Sequence, residues 1–498
     1  MFFSNPGISE RYRIGWPVIV ILGGMICGLF ILLFTFLPTK WGVLGTIGIM
    51  IPFIAVLTGD VKRFFLAILV FALPIQLDIT IQHSGHLGGA AGFIISLYDI
   101  TLAILYILWI SELVRNKRKI NFFPRISLPF FFLVGMATLS MANASLPTLS
   151  LFEIVQVLKM YLGFLYLANN IKSRKEIQFV VAFLLLGLFL ESLLGLAQYK
   201  FDRPLVPSVL GGPEKLGYIR LGEPLSRISG TWASYNDFAW YLTFMLPISM
   251  SLLFSRIRGS YKLICGLTLV AGMGALICTL SRAGWYSFVV AALIVLLLNF
   301  SKTKGKTGLN NFATSIVAIL IVVSVIGTVN PQFLNIVNRR VLSDDYDAAY
   351  SRIPQMQVAS NIIRANPVLG IGINNYTEVM DQYDTTDVKL TSITRHQVHN
   401  IFLQVAAEMG IIGLAIFIWC VFMIYKEGLC HIKTSEGTMS SIVIGLIGGI
   451  TAFLIHGLVD AASLGNHLFL ILWFLTGVIF AVGKIRIDVK PALNKSLQ

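Results

Sequence analysis

Residues 395–413, RHQVHNIFLQVAAEMGIIG, set Arg395, His396, Gln397, His399 and Asn400 at the mouth of an apolar, helix-like stretch. An imidazole with an ordinary pKa near 6.5 is largely neutral and proton-accepting at neutral pH, so His399 is a candidate general base toward a hydroxyl. The plainer alternative is a polar residue at a helix entrance with no task. His396 and His399 also have metal-ligand spacing, but no Cys and no tight carboxylate cluster accompanies them, so no metal is assigned. Arg227 in LSRISGTWASYNDFAWYL, Arg282 in CTLSRAGWYSF and Arg352 in SRIPQMQVASNIIRANPVLGIG are the cations of interest elsewhere. A guanidinium stays ionised and grips phosphate with a planar fork, so two or more at one membrane mouth suit a lipid-borne diphosphate. Arg282 stands between two apolar runs, where an ionisable group is expensive and marks function by default. Its alternative is to snorkel to lipid headgroups.

The rest of the chain must hold these residues in a bilayer. Of its 498 residues 56% are hydrophobic and 12% charged, about half the charged share of a water-soluble globule, which excludes that class. Apolar windows place about fourteen spans of roughly 20 residues. They fall near 16–37, 42–58, 64–78, 94–114, 127–143, 152–171, 177–198, 236–254, 263–280, 284–300, 312–329, 401–425, 440–460 and 467–484. The first run has no small-residue cleavage pattern after it and reads as a retained span. With the N-terminus cytoplasmic, about 24 of the 38 Lys and Arg fall in short segments on its side, so both termini are expected there. That bias explains most of the net charge of +14, and nucleic acid is not an expected partner. Two long external loops, 199–235 and 330–400, are expected to be irregular or short-helical and functional. The scattered cysteines suggest neither a disulfide framework nor a zinc site.

His399-Asn400, nine residues, Gly410, two residues and Gly413 match the pattern H-[NSQ]-x9-G-x2-[GTY]. With this pattern the chain resembles the O-antigen ligase and polymerase superfamily of bacterial membrane glycosyltransferases. RISGTWASYNDFAWYL looks like the family's Arg-x-x-Gly-Thr segment with a downstream Asn, here Asn236. LSRAGW looks like its Ser-Arg segment, and PVLGIGINNY resembles the stretch after its long periplasmic loop. The resemblance spans roughly residues 220–420, with LIHGLVDA at 454–461 as a trailing element.

The resemblance implies an all-α polytopic protein of the bacterial inner membrane with its active site on the periplasmic face. Its parts would be N-terminal helices over 1–150, a ligase/polymerase-like core over 151–485 and a cytoplasmic tail over 486–498. The donor would be a glycan on undecaprenyl diphosphate, and the reaction would be inverting and need no metal or other cofactor. His399 would deprotonate the acceptor hydroxyl, while Arg282 and Arg227 would hold the diphosphate and stabilise its growing charge. Arg352, Asn236, Arg395 and Asn400 would bind substrate, Asn400 orienting either the histidine or a sugar. Gly410 and Gly413 are expected to allow close helix packing, His456 and Asp460 to form a second polar shell or an intramembrane pair, and the GIG at 370–372 to be a turn rather than a phosphate loop. The span count favours a surface-polysaccharide polymerase acting on another lipid-linked unit. A ligase to lipid A core, a protein O-oligosaccharyltransferase, an anion or bicarbonate transporter and a non-catalytic assembly partner are the alternatives.

Overall fold

The structure, a computed structural model, describes residues 59–75, 78–82, 85–116, 121, 123–203, 205, 219–221, 225–302, 352–386 and 395–495. The expected spans at 16–37, 42–58 and 312–329 lie outside the described residues, as do parts of both long loops.

The described elements run α1 (Val61–Phe71), β1 (Asp78–Ile81), β2 (Phe93–Ser96), α2 (Leu97–Asn116), α3 (Ser127–Ser140), α4 (Pro147–Asn170) and α5 (Arg174–Phe201). Then come β3 (Ile219–Leu221), β4 (Leu225–Arg227), α6 (Tyr235–Leu253), α7 (Gly259–Cys278), α8 (Arg282–Lys302) and α9 (Arg352–Ala365). The chain continues through α10 (Tyr376–Val379), α11 (Ile401–Thr434), α12 (Gly437–His456) and α13 (His467–Lys495). Among the described residues, eight helices are long and apolar enough to cross a membrane: α2, α4, α5, α7, α8, α11, α12 and α13.

One expected span is shorter than its apolar window implied. α1 has 11 residues, about 16 Å of helix against a hydrocarbon core of roughly 30 Å, whereas α3 and the 3-10 turn after it make one short apolar helix over Ser127–Asn143, the bounds of the window. Composition alone marks apolar character, and it does not show where the backbone turns. After α1 the chain bends through Pro74 into the antiparallel hairpin β1–β2, and after α3 it tightens into a 3-10 turn over Met141–Asn143. The described parts of the 330–400 loop are short-helical, as expected.

Helix α6 is the centre of the bundle, buried continuously from Phe238 to Leu252 and packed by α7, α8 and α12. Apolar side chains gain little by leaving lipid for protein, so tight van der Waals contact must hold such helices together. The GLIGGI run of α12 supplies it. A Cβ on Gly449 would lie 2.1 Å from the Phe244 carbonyl oxygen, and one on Gly445 would lie 2.6 Å from Ile248 Cα.

The antiparallel order gives the bundle two distinct ends. α6, α8, α11 and α13 begin at one, where α7 and α12 finish; α5, α7 and α12 begin at the other.

Candidate functional site

At the first end, the segments singled out in the sequence converge. Asn400 caps α11, its Oδ1 accepting from the backbone N–H of Phe402 (2.9 Å) and Leu403 (3.0 Å). Its Nδ2 donates to the Leu458 carbonyl at 3.0 Å, and the Ile401 N–H donates to the Gly457 carbonyl at 2.8 Å. These bonds staple the start of α11 to the turn that follows α12, and so fix where His399 stands.

There His399 Nδ1 lies 3.0 Å from Asp460 Oδ1. Burial pushes the Asp460 carboxyl up, but the hydrogen bond to His399 and the nearness of His456 outweigh it and hold the group well below the usual carboxylate range. An ionised Asp460 accepts only, so His399 Nδ1 is the donor in this bond, and it is the neutral tautomer of that ring that would leave a lone pair on Nε2. Nε2 has no hydrogen-bond partner among the described residues, and the side chain is 27% exposed. On the other side of Asp460, His456 Nε2 is 3.5 Å from Oδ2. The His456 ring is fully buried and stacks on Trp240 of α6 at 4.7 Å between centroids. His456 and Asp460 are thus paired with each other, and Asp460 reaches His399.

The arginine side of the site adjoins the same helix. Ala239, next to Trp240, meets the start of α8 so closely that a Cβ on Gly284 would lie 3.0 Å from its own Cβ. Arg282 is the first residue of α8 and half-buried, on a turn where Leu280 takes a positive φ of 55°. Arg227, 6% exposed, donates from Nε to the Thr279 carbonyl at 2.9 Å and from Nη2 to the Leu280 carbonyl at 3.3 Å. Its guanidinium lies over the Tyr235 ring, 3.1 Å from the centroid. Arg227 thus holds the Arg282 turn and joins it to the start of α6. α6, α8 and α11 all begin at this end of the bundle, so their positive N-terminal ends lie on its side.

The remaining expected residues fall differently. Asn236 is half-buried in the first turn of α6 and makes no side-chain hydrogen bond among the described residues. Arg352 opens α9, which packs on α11 near Val398, and it too makes no described hydrogen bond or ion pair. Arg395 turns to Asp381, its Nη2 2.8 Å from Oδ2 with both side chains exposed. Gly410 acts by backbone conformation: its φ of 71° breaks α11, and a Cβ there would lie 2.2 Å from the Val368 carbonyl oxygen. Gly370 and Gly372 both have positive φ, as turn glycines do.

Sequence reasoning missed a second polar cluster at the same end. Asn374 Oδ1 lies 2.8 Å from His86 Nε2 and accepts from the Gly89 N–H at 2.7 Å; His86 Nδ1 lies 2.8 Å from Glu378 Oε1. Asn374 Nδ2 donates to the carbonyls of Ala90 (2.9 Å) and Leu149 (3.0 Å). Fully buried Glu153 accepts from the N–H groups of Ala90 (2.8 Å) and Gly465 (2.5 Å). The doublet Asn374-Asn375 after GIGI and the lone Glu153 within an apolar run were the available signals. Between this cluster and the Asp460 turn lies a polar cavity of about 200 Å³, lined by Asp78, Asp99, Gln156, Lys159, Asn466 and His467 among others. Ser463 also lines it, three residues from Asp460 and hence within about 11 Å along the chain.

Among the described residues no three His, Cys, Asp or Glu side chains are grouped to hold a metal. No curated protein matches the chain. The O-antigen ligase family model (Wzy_C) matches residues 267–418, from within α7 into α11, an interval that contains Arg282, Arg352, Arg395, His399, Asn400, Gly410 and Gly413 but neither Arg227 nor Asp460. That match supports the O-antigen ligase/polymerase superfamily for this chain, and with it a membrane glycosyltransferase in general.

Proposed function

We propose that the protein is a metal-independent, inverting glycosyltransferase that moves a glycan from undecaprenyl diphosphate to an acceptor hydroxyl at the outer face of the bacterial inner membrane. The observation that carries this reading is the His399 ring, held by Asp460 through Nδ1 with Nε2 unpartnered and accessible. In the reaction Nε2 takes the proton of the acceptor hydroxyl as its oxygen bonds to the anomeric carbon. The bond from that carbon to the diphosphate oxygen breaks, and the electron pair leaves with the lipid diphosphate. Asp460 stabilises the imidazolium that forms, as a buried carboxylate does for a catalytic histidine elsewhere. Arg282, on the positive end of α8, receives the charge developing on the leaving group. Arg227 acts chiefly through the turn it braces, because two of its N–H groups already serve the Thr279 and Leu280 carbonyls. Asn400 orients His399 by capping and stapling rather than by touching a sugar.

Among acceptors, a second lipid-linked repeat unit is our preferred reading, which makes the protein a polymerase of O-antigen, capsule or exopolysaccharide. Incubating purified protein with lipid-linked repeat alone, and then with candidate acceptors, tests it. A ladder from donor alone supports the polymerase. A single adduct on lipid A core or on protein replaces it with a ligase or an oligosaccharyltransferase. No chemistry, together with anion flux in liposomes, overturns the enzyme reading.

A further inference from the structure

The opposite end of the bundle carries a groove that the glycosyl-transfer site does not use. It lies between α5 and α7, has a volume of about 800 Å³, and is walled by apolar side chains such as Phe179, Leu185, Phe189, Ile264 and Leu267. Along α5 it extends from Lys175 to Phe189, about 21 Å at the helical rise. One leaflet of a roughly 30 Å hydrocarbon core, with its headgroup layer, has that depth. Leu186, Ile264 and Leu267 are exposed along it, so the groove opens sideways, where lipid would be.

Its mouth is cationic. Arg63, Lys175, Arg256 and Arg258 line it, all are exposed, and no Asp or Glu does so. Arg63 has a loose partner in Asp60, 3.9 Å away, and lies over the Phe179 ring at 5.6 Å. Lys175, Arg256 and Arg258 make no ion pair among the described residues. The N-termini of α5 and α7 open at the same place and add their positive ends. A soluble anion would match the cations but leave the apolar walls unused. A neutral lipid would fill the walls but leave the cations unmatched. Basic pockets between transmembrane helices suit lipids bearing both a chain and a negative headgroup.

We propose that this groove binds one anionic phospholipid, an acyl chain between α5 and α7 and the headgroup phosphate against Arg63, Lys175, Arg256 and Arg258. The site is independent of the glycosyltransferase reading and stands or falls without it. The bound lipid braces α5 against α7, both of which touch the central helix α6.

The test uses the full chain in detergent, stripped of lipid and titrated with phosphatidylglycerol or with phosphatidylcholine of the same acyl chains, adducts being counted by native mass spectrometry. Phosphatidylglycerol should form one retained adduct and phosphatidylcholine should bind far more weakly. Combining Lys175→Gln, Arg256→Gln and Arg258→Gln changes only exposed side chains and should weaken the phosphatidylglycerol adduct by roughly a hundredfold. Ala182→Trp, which narrows the groove with every charge intact, should displace it as well. Equal retention of the two lipids, unchanged affinity in the triple variant, or no adduct of either lipid would overturn the proposal, the last also being the result if another part of the chain covers the groove.

Discussion

The two polar clusters at the site end of the bundle use similar residues to opposite effect. Around Glu153 and Asn374 the buried groups meet one another. Both ring nitrogens of His86 are engaged, both nitrogen donors of the Asn374 amide group reach carbonyls, and both oxygens of Glu153 accept backbone N–H groups. Around His399 one nitrogen is fixed by Asp460 while the other remains unpartnered and partly exposed. A fully satisfied network rigidifies, whereas reactivity needs an unsatisfied lone pair at an accessible place. Polarity inside an apolar protein is therefore not itself a sign of catalysis.

That contrast fails first if His399 is dispensable. His399→Ala should lower glycan transfer by about a thousandfold per folded molecule, the loss expected of a general base, with a lower melting temperature because buried Asp460 loses its partner. Transfer at the wild-type rate would remove the base from the mechanism. Asp460→Asn should cost about a hundredfold or more in turnover, because an amide favours neither the tautomer nor the imidazolium.

The same variant reports on pH. The Asp460 carboxyl titrates below its ordinary value near 4, so its contribution to stability is complete above that value and is lost as pH falls through the lower folded one. The melting-temperature gap between wild type and Asp460→Asn should accordingly close as the pH falls below about 4; a gap that instead grew on acidification would contradict the sign.

Arg282→Lys, which keeps the charge and removes the fork, should reduce transfer by about tenfold to a hundredfold, read as turnover of lipid-linked donor. Full activity would leave Arg282 as a residue that merely reaches for headgroups. The smallest effect on chemistry belongs to the satisfied cluster. Glu153→Leu leaves the buried Ala90 N–H and the partly buried Gly465 N–H without an acceptor and should cost about 1–3 kcal/mol for the buried one, seen as a lower melting temperature. Activity per folded molecule should stay within about twofold. A large drop in turnover at unchanged stability would move Glu153 into the reaction and dissolve the distinction.

Much of the helical bundle was legible in the sequence because a membrane span is a local property. The apolar windows at 236–254, 401–425 and 440–460 coincide closely with α6, the first part of α11 and α12. The window at 64–78 overran its helix, because the backbone turns early into β1–β2, while the one at 127–143 matches a helix that ends in a 3-10 turn. Those turns are held by distant partners, as where Ser140 Oγ accepts from the Ile373 N–H at 3.0 Å. His399, Arg282 and Arg227 stood out because ionisable groups beside apolar runs are costly. Arg395 stood out for the same reason, but its ion pair with exposed Asp381 was not visible in the sequence.

By itself, then, the sequence determined a helical chain for the bilayer and the residue types available at each helix end, since hydropathy and desolvation cost act over a few neighbouring residues. Tertiary structure decided which helix ends meet. Only the packing of glycine-lined α12 on α6 brings Trp240, His456 and Asp460 beside His399, and only the Arg227 contacts with the Thr279 and Leu280 carbonyls set Arg282 at the start of the same central helix. Contacts between residues 52 or more positions apart depend on shape and on the directions of hydrogen bonds, which no local pattern of residue types encodes.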